Sequence, residues 1–228
     1  TALDTYSVTV TDNNGCTGTT FVNVTVYPLP IPAIAGDADF CNGQNTTLDV
    51  GVGYQQYAWS SGDMGPTTTA FNGGTYTVTV TDSQGCTAST SIVVTEYPNP
   101  TPNITGDLDF CNGASTTLNA PAGFAAYSWT PSGNTQKVVS VDDAGVYTVI
   151  VTDQNGCTGS ASTTVTVYNN PIPTIAGDLD FCSGGNTTLT AQAGFASYAW
   201  TPANNTSTIT ASAAGNYIVT VTDTNGCT

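Results

Sequence analysis

The chain has 228 residues, a net charge of −15, no His and a single basic residue, Lys137. No basic patch exists to neutralise phosphates, which excludes nucleic acid and anionic membrane surfaces as partners. No apolar run approaches the ~18 residues of a membrane span, so any membrane contact would run through parts outside this segment.

The apolar fraction is 39%, enough for small cores, and Trp and Tyr recur at fixed places, which argues against disorder. Thr, Val, Gly and Asn favour strands and turns over helices.

Residues 1–28 read as two strands, the end of an incomplete repeat. Within them, Tyr6 to Cys16 has the form Tyr-x-Val-x-Val-Thr-Asp-x-x-Gly-Cys, which returns at Tyr76–Cys86, Tyr147–Cys157 and Tyr217–Cys227. Successive cysteines are spaced by 70, 71 and 70 residues, the signature of a repeat array. In each copy an apolar/Thr alternation is broken by Asp-x-x-Gly and then resumes, predicting strand, turn and strand. Pro-rich joints follow at Pro28–Pro32 and Pro98–Pro102, with a shorter one at Asn170–Pro173. Proline removes ladder donors and stiffens φ, so these are short, semi-rigid linkers. They divide the chain into repeats at 29–98, 99–169 and 170–228, the last without its final strand. Opening and closing inside a repeat reads as a window cut from a longer protein, for which a missing signal peptide is silent on location.

Within the second repeat, strands are expected at 103–105, 116–120, 126–129, 137–141, 146–153 and 158–168. The stretch through Asp107, Asp109 and Cys111 leads to an Asn-Gly turn. Short strands with turns every 8 to 12 residues describe a β-sandwich. Asp143-Ala-Gly-Val-Tyr147 has the Asp-x-Gly-x-Tyr form of the tyrosine corner, and Trp129 sits where the third strand's core Trp belongs. The repeats therefore resemble immunoglobulin-like or PKD-like modules, with Ala120 and Val149 at the places of the core disulfide. The other two keep only Gly-x-Tyr, at Gly74–Tyr76 and Gly215–Tyr217. The combination Phe-Cys-x-Gly, Thr-Leu, Tyr-x-Trp and Tyr-x-Val-x-Val-Thr-Asp-x-x-Gly-Cys-Thr is similar to the tandem repeats of giant secreted adhesins of Bacteroidota-type bacteria, gliding-motility adhesins included. The resemblance spans essentially the whole chain. It implies an all-β, head-to-tail array at an extracellular cell surface.

Seven Cys at repeated positions fit an oxidising compartment. One per repeat (Cys41, Cys111, Cys182) precedes the turn between the first two strands. The other (Cys86, Cys157, Cys227) follows the turn between the last two. In an immunoglobulin topology these turns lie at opposite ends, over ~20 Å apart for strands of about seven residues, beyond the ~7 Å Cα separation a disulfide tolerates. Stacking head to tail instead predicts Cys41–Cys157 and Cys111–Cys227, with Cys16, Cys86 and Cys182 pairing outside the window. Should the fold not be immunoglobulin-like, pairing within repeats (Cys41–Cys86, Cys111–Cys157, Cys182–Cys227) becomes natural.

The acids recur with the cysteines. Stacking would bring Asp37, Asp39 and Asp153 to one joint and Asp107, Asp109 and Asp223 to the next, a set that could hold Ca²⁺. Alternatively, each Asp caps its own turn. Six sequons, at Asn23, Asn45, Asn103, Asn186, Asn204 and Asn205, are candidate glycan acceptors, although a chain rich in Asn and Thr generates sequons by chance.

Without His, no Ser-His-Asp triad, Cys-His pair or His metal site can be built; no phosphate-binding loop precedes a helix. Isopeptide staples need a Lys in every module, and Lys137 is alone. Phe40, Phe110, Phe181, Trp59, Trp129 and Trp200 recur in register and read as core. The loops at Tyr54, Phe124 and Phe195 are the best places for a glycan-binding surface, but they are small and alike.

The expectation is a non-enzymatic stalk or filament segment needing no cofactor other than optional Ca²⁺, with neighbouring repeats or copies as its partners. Its role would be adhesion, gliding or matrix formation. The alternatives are a glycan-binding array and a spacer on a secreted enzyme. Residues 17–27 are the strand the last repeat lacks, so a continuous polyprotein and a neighbour donating that strand are both consistent with the sequence.

Overall fold

A computed structural model describes residues 2–228, which contain strands and turns and no helix. They form two compact units, Thr1–Asn99 and Pro100–Thr228.

The first unit opens with a hairpin, β1 (Ala2–Thr11) and β2 (Thr17–Val26), paired along its full length. Its described side chains are exposed, including Tyr6, Val8, Phe21 and Val24. A sandwich module follows, built from β3 (Asp39–Cys41), β4 (Thr46–Asp49), β5 (Gln56–Trp59), β6 (Thr67–Ala70), β7 (Gly74–Thr81) and β8 (Thr87–Tyr97). One sheet has the order β3-β8-β7-β5 and the other is β4-β6.

The second unit repeats the plan with β9 (Asp109–Cys111), β10 (Thr116–Asn119), β11 (Ala126–Thr130), β12 (Val138–Val141), β13 (Gly145–Thr152) and β14 (Thr158–Tyr168). Its sheets are β11-β13-β14-β9 and β10-β12. This is the immunoglobulin-like sandwich, with antiparallel ladders throughout except where the short first strand runs parallel to the last, Phe110 opposite Val167.

The core of this middle module follows from period-two alternation. In β14 the side chains of Ala161, Thr163, Val165 and Val167 point inward while their neighbours face solvent. Val165 joins Leu118, Ala120, Trp129, Val139, Val149 and Val151 in one buried cluster. Ala120 and Val149, at the places of an immunoglobulin core disulfide, are buried as apolar contacts. The Trp129 indole donates to Gln136 O at 2.9 Å, and the Tyr147 hydroxyl to Asp143 O at 3.0 Å. The same two bonds hold Trp59 and Tyr76 in the first module and Trp200 and Tyr217 in the third. The weaker Gly-x-Tyr motifs thus form the full tyrosine corner.

The sequence places the first strand of the middle repeat at 103–105. The structure gives that stretch a single bridge, Thr105 to Asn119, and forms the strand later, as β9. Between them the chain changes sheets at Gly106, where φ is +136° and a Cβ would stand 2.2 Å from Thr117 O, so only glycine fits.

The third module comprises β15 (Ile175–Ala176), β16 (Thr187–Ala191), β17 (Ser197–Thr201), β18 (Thr208–Ala211) and β19 (Ile218–Thr222). β19 has five residues where β7 and β13 have eight. Residues 180–182, the counterpart of β9, form no strand. Both shortfalls have one cause. In the middle module these residues hydrogen-bond to β14, and the described residues of the third hold no counterpart to it.

Candidate functional site

The chemistry-bearing residues of this chain gather at the ends of the modules. Cys111 and Cys227 form a disulfide with Cα atoms 5.5 Å apart, across 116 residues of sequence. It fastens the turn after β9 in the middle module to the turn after β19 in the third. Cys227 is fully buried and Cys111 half-buried. Cys41 and Cys157 are also disulfide-bonded, while Cys16, Cys86 and Cys182 are free thiols. The pairings Cys41–Cys86, Cys111–Cys157 and Cys182–Cys227 are therefore not formed.

A second tie reinforces the place where Cys111 sits. Asn112 N donates to Tyr168 O at 2.8 Å, and the Asn170 side chain donates to Asn112 O at 3.1 Å. The linker residue thus clamps the turn beside Cys111 as the chain leaves one module for the next. In the first unit Asn99 holds Asn42 in the same way.

The aspartates of the Asp-x-x-Gly-Cys turns bind their own backbone. Asp153 Oδ1 accepts from the backbone N–H of Asn155 and Cys157, both at 2.9 Å, and Asp223 Oδ1 accepts from Asn225 and Cys227, both at 2.8 Å. Asp12 and Asp82 make the same pair of bonds. Each carboxylate closes the tight turn that places the following cysteine, the local competition with backbone that short polar side chains offer. Asp37, Asp39, Asp107 and Asp109 are exposed. Among the described residues no group of three or more His, Cys, Asp or Glu is arranged to hold a metal ion. Of the expected Ca²⁺ sets, Asp37, Asp39 and Asp153 and Asp107, Asp109 and Asp223, the members Asp153 and Asp223 each hold their own turn through one carboxylate oxygen, and the sets stand as an expectation for calcium titration to test.

The sequons differ in accessibility. Asn45, Asn103, Asn186 and Asn205 are exposed. Asn23 lies exposed in β2 and accepts a hydrogen bond from the Thr5 hydroxyl at 2.8 Å. Asn204 is half-buried, and its Oδ1 accepts from both the N–H and the hydroxyl of Thr206 at 2.7 Å, which locks it into a turn.

The aromatic loops turn inward. Tyr54, Phe124 and Phe195 each pack edge-on against a strand Tyr (Tyr57, Tyr127, Tyr198) at centroid distances of 5.9 to 6.2 Å. They support the sandwich rather than offering flat faces to a sugar. At Tyr147, burial and then the Asp143 and Asp142 carboxylates push the phenol above the ordinary range.

Compared with known protein families the chain matches none, and no characterised protein is similar to it in sequence. Among solved structures it is similar to an adhesin with which an Antarctic bacterium binds ice, described as Ca²⁺-stabilised (13% identity, 98% of this chain and 72% of that one, TM-score 0.38). It is also similar to murine CEACAM1b (12% identity, 60% of this chain and 100% of that one, TM-score 0.29). A third is SGBP-B of a Bacteroides ovatus mixed-linkage glucan utilization locus, solved with a mixed-linkage heptasaccharide (12% identity, 98% of this chain and 75% of that one, TM-score 0.19).

Proposed function

We propose that this chain is a load-bearing segment of an extracellular stalk or filament on a bacterial cell surface, made of tandem immunoglobulin-like modules and serving adhesion, gliding or matrix formation without catalysis. The observation that carries the reading is the Cys111–Cys227 disulfide between successive modules. A covalent tie placed between modules, where an isolated domain would place it inside, limits bending and resists extension at the joint. The Asn170 clamp and the proline linkers act in the same direction. A disulfide persists in an oxidising compartment, which supports a location outside the cytoplasm. Solved neighbours with adhesive or surface roles are compatible with this assignment. An array of binding sites is less favoured, because the aromatic residues of its loops are consumed in packing.

The test is mechanical. Pro100–Thr228 folds as a compact unit, so force spectroscopy on the whole chain, oxidised and reduced, reports on its joint. The expected outcome is a contour-length gain on unfolding that is shorter in the oxidised protein than in the reduced one, and longer in the oxidised Cys111→Ser/Cys227→Ser variant, whose ties at Cys41 and Cys157 stay closed, than in the oxidised wild-type chain. Equal gains in both states would remove the load-bearing reading.

A further inference from the structure

The three modules follow one plan, so residues in which one module departs from the others, and which gather at one place, mark something added to the sandwich. Four departures of the first module do so. After the core tryptophan it has Ser60-Ser61, where the others have Thr130-Pro131 and Thr201-Pro202. Five residues before the corner tyrosine it has Phe71, where they have Asp142 and Ser212. Three before that tyrosine it has Gly73, where they have Ala144 and Ala214. Ten residues after Cys86 it has Glu96, where the middle module has Val167 after Cys157.

These residues converge. Ser60, Ser61, Phe71 and Gly73, with Asn72 and Tyr76, bound an open cleft of about 460 Å³ within the first unit. Glu96 backs its wall, where Oε2 accepts from Gly73 N at 3.1 Å. Glycine permits this approach. A Cβ at position 73 would stand 3.1 Å from Glu96 N and 3.2 Å from Glu96 Cβ, so the alanine of the other modules would crowd the strand that carries Glu96.

The cleft sets one flat apolar face beside hydrogen-bonding groups. Phe71 is 64% exposed. Ser60 Oγ accepts from Thr77 N at 3.1 Å, which leaves its O–H to donate outward. The Ser61 hydroxyl is steadied at the rim by Asp63 and Thr68. Asn72 is exposed; its main-chain carbonyl is taken by the Tyr76 hydroxyl, and its side-chain amide makes no hydrogen bond among the described residues.

This chemistry selects a ligand class. An aromatic face packs against the C–H face of a sugar ring, while hydroxyl and amide groups bond to the hydroxyls at its edge. Lys137 is the only basic side chain and belongs to the middle module, so nothing in the cleft balances a sulfate, a phosphate or an acidic sugar. A wholly apolar ligand would leave the Ser60 and Asn72 side chains desolvated and unpaired.

We propose that the cleft of the first module binds one neutral hexose residue, free or at the end of a glycan, with Phe71 against the ring face and Ser60, Ser61 and Asn72 on its hydroxyls. The other modules, with Asp142 and Ser212 at the place of Phe71, lack the site. The inference goes beyond the stalk reading, which does not require it.

The experiment is saturation-transfer NMR on the whole chain with the methyl glycosides of glucose, galactose and mannose, and with those of glucuronic and sialic acid as the anionic arm. The expected result is transfer to at least one neutral glycoside, strongest at ring C–H protons, and none to the acidic ones. Phe71→Asp, which installs the middle module's residue, and Asn72→Ala should each weaken binding at least tenfold. Both side chains are exposed, so both variants should melt as the wild type does. Phe71→Trp should retain binding. The same sugars displayed on an array separate the sources: capture of the chain by the array identifies a glycan end, and binding of the free glycosides alone identifies a free sugar. No neutral glycoside bound in large molar excess, equal binding by the F71D protein, or a preference for the acidic sugars would overturn the proposal. None of these outcomes changes the contour lengths that test the stalk reading, so the two fail separately.

Discussion

Gly159 lies directly beneath the carbonyl of Pro100: a Cβ built on Gly159 would stand 1.7 Å from that oxygen. The linker entering the middle module is thus seated on the start of β14, with no room for one more carbon. Gly159→Ala is expected to displace the linker backbone, since the obstacle is main chain and cannot rotate away, at a cost of about 1–3 kcal/mol. Gly18→Ala is the control, because the added carbon there meets only Val10 at 3.8 Å. Thermal melting should lower the midpoint for G159A and leave G18A near wild type. Equal midpoints would mean that the linker is not seated.

The turn aspartates give a charge-independent prediction. Asp153→Ala removes the acceptor of two backbone N–H groups that place Cys157 and should destabilise by about 1–2 kcal/mol. Asp153→Asn keeps an oxygen in position and should recover most of that loss. Since these carboxylates are engaged in their own turns, the melting curve is expected to be the same in millimolar Ca²⁺ and in excess chelator. A rise of several degrees with Ca²⁺ would restore a metal role to the joints.

Tyr147 supplies the pH dependence. Its folded-state pKa is raised, by burial first and the neighbouring Asp143 and Asp142 second. An acid whose pKa is higher folded than unfolded contributes stability that is complete below the unfolded value, about 10 for Tyr, and is lost as pH rises through the folded value. Stability of the second unit should therefore fall above about pH 10, and this alkaline component should vanish in Tyr147→Phe. That variant also loses the bond to Asp143 O, so it starts about 1 kcal/mol lower at neutral pH. Denaturant midpoints at neutral and alkaline pH separate the two effects.

How far the sequence discloses this molecule depends on the range of each signal. Tyr147, Trp129, Leu118 and the Asp-x-x-Gly-Cys turns are legible because their patterns are local: a two-residue period, a corner motif, a turn whose carboxylate caps it. The parallel pairing of Asp109–Cys111 with β14 is not legible, because three residues carry no periodicity and their partner lies over fifty residues away. The aspartates carry two signals of different range. Convergence of Asp107, Asp109 and Asp223 is an expectation from topology, whereas the bond from Cys227 N to Asp223 is local and legible in the Asp-x-x-Gly-Cys turn itself. The shortness of β19 is a tertiary effect as well: Gly215, Asn216 and Tyr217 have the same pattern as Gly145–Tyr147 but no neighbouring ladder among the described residues to bind.

The two modules of the second unit should consequently differ in stability. Val149 is fully buried, while its counterpart Val219 is only half-buried. Val149→Ala should cost about 2–3 kcal/mol and Val219→Ala clearly less, since the lost transfer and cavity terms scale with burial. Hydrogen exchange should find Trp200 and its neighbours protected less than those of Trp129. Equal costs for the two valines would mean that another segment covers the third core in solution.

The disulfide between these modules gives the largest expected effect. Cys111 and Cys227 enclose 116 residues of chain. Closing a loop of that length in the unfolded state corresponds to roughly 4–5 kcal/mol in the chain-entropy account. The Cys111→Ser/Cys227→Ser double variant, which leaves the disulfide bonding of Cys41 and Cys157 in place, should therefore do more than lower a single midpoint. Unfolding followed through the environments of Trp129 and Trp200 should split into two transitions, with the third module melting first, since its tie to the stable middle module is gone. Restoring the disulfide should merge the transitions again. If the double variant instead melts in one step at the wild-type midpoint, the two modules are coupled through the Asn170 clamp and the linker, and the Cys111–Cys227 disulfide serves only to resist extension once force is applied.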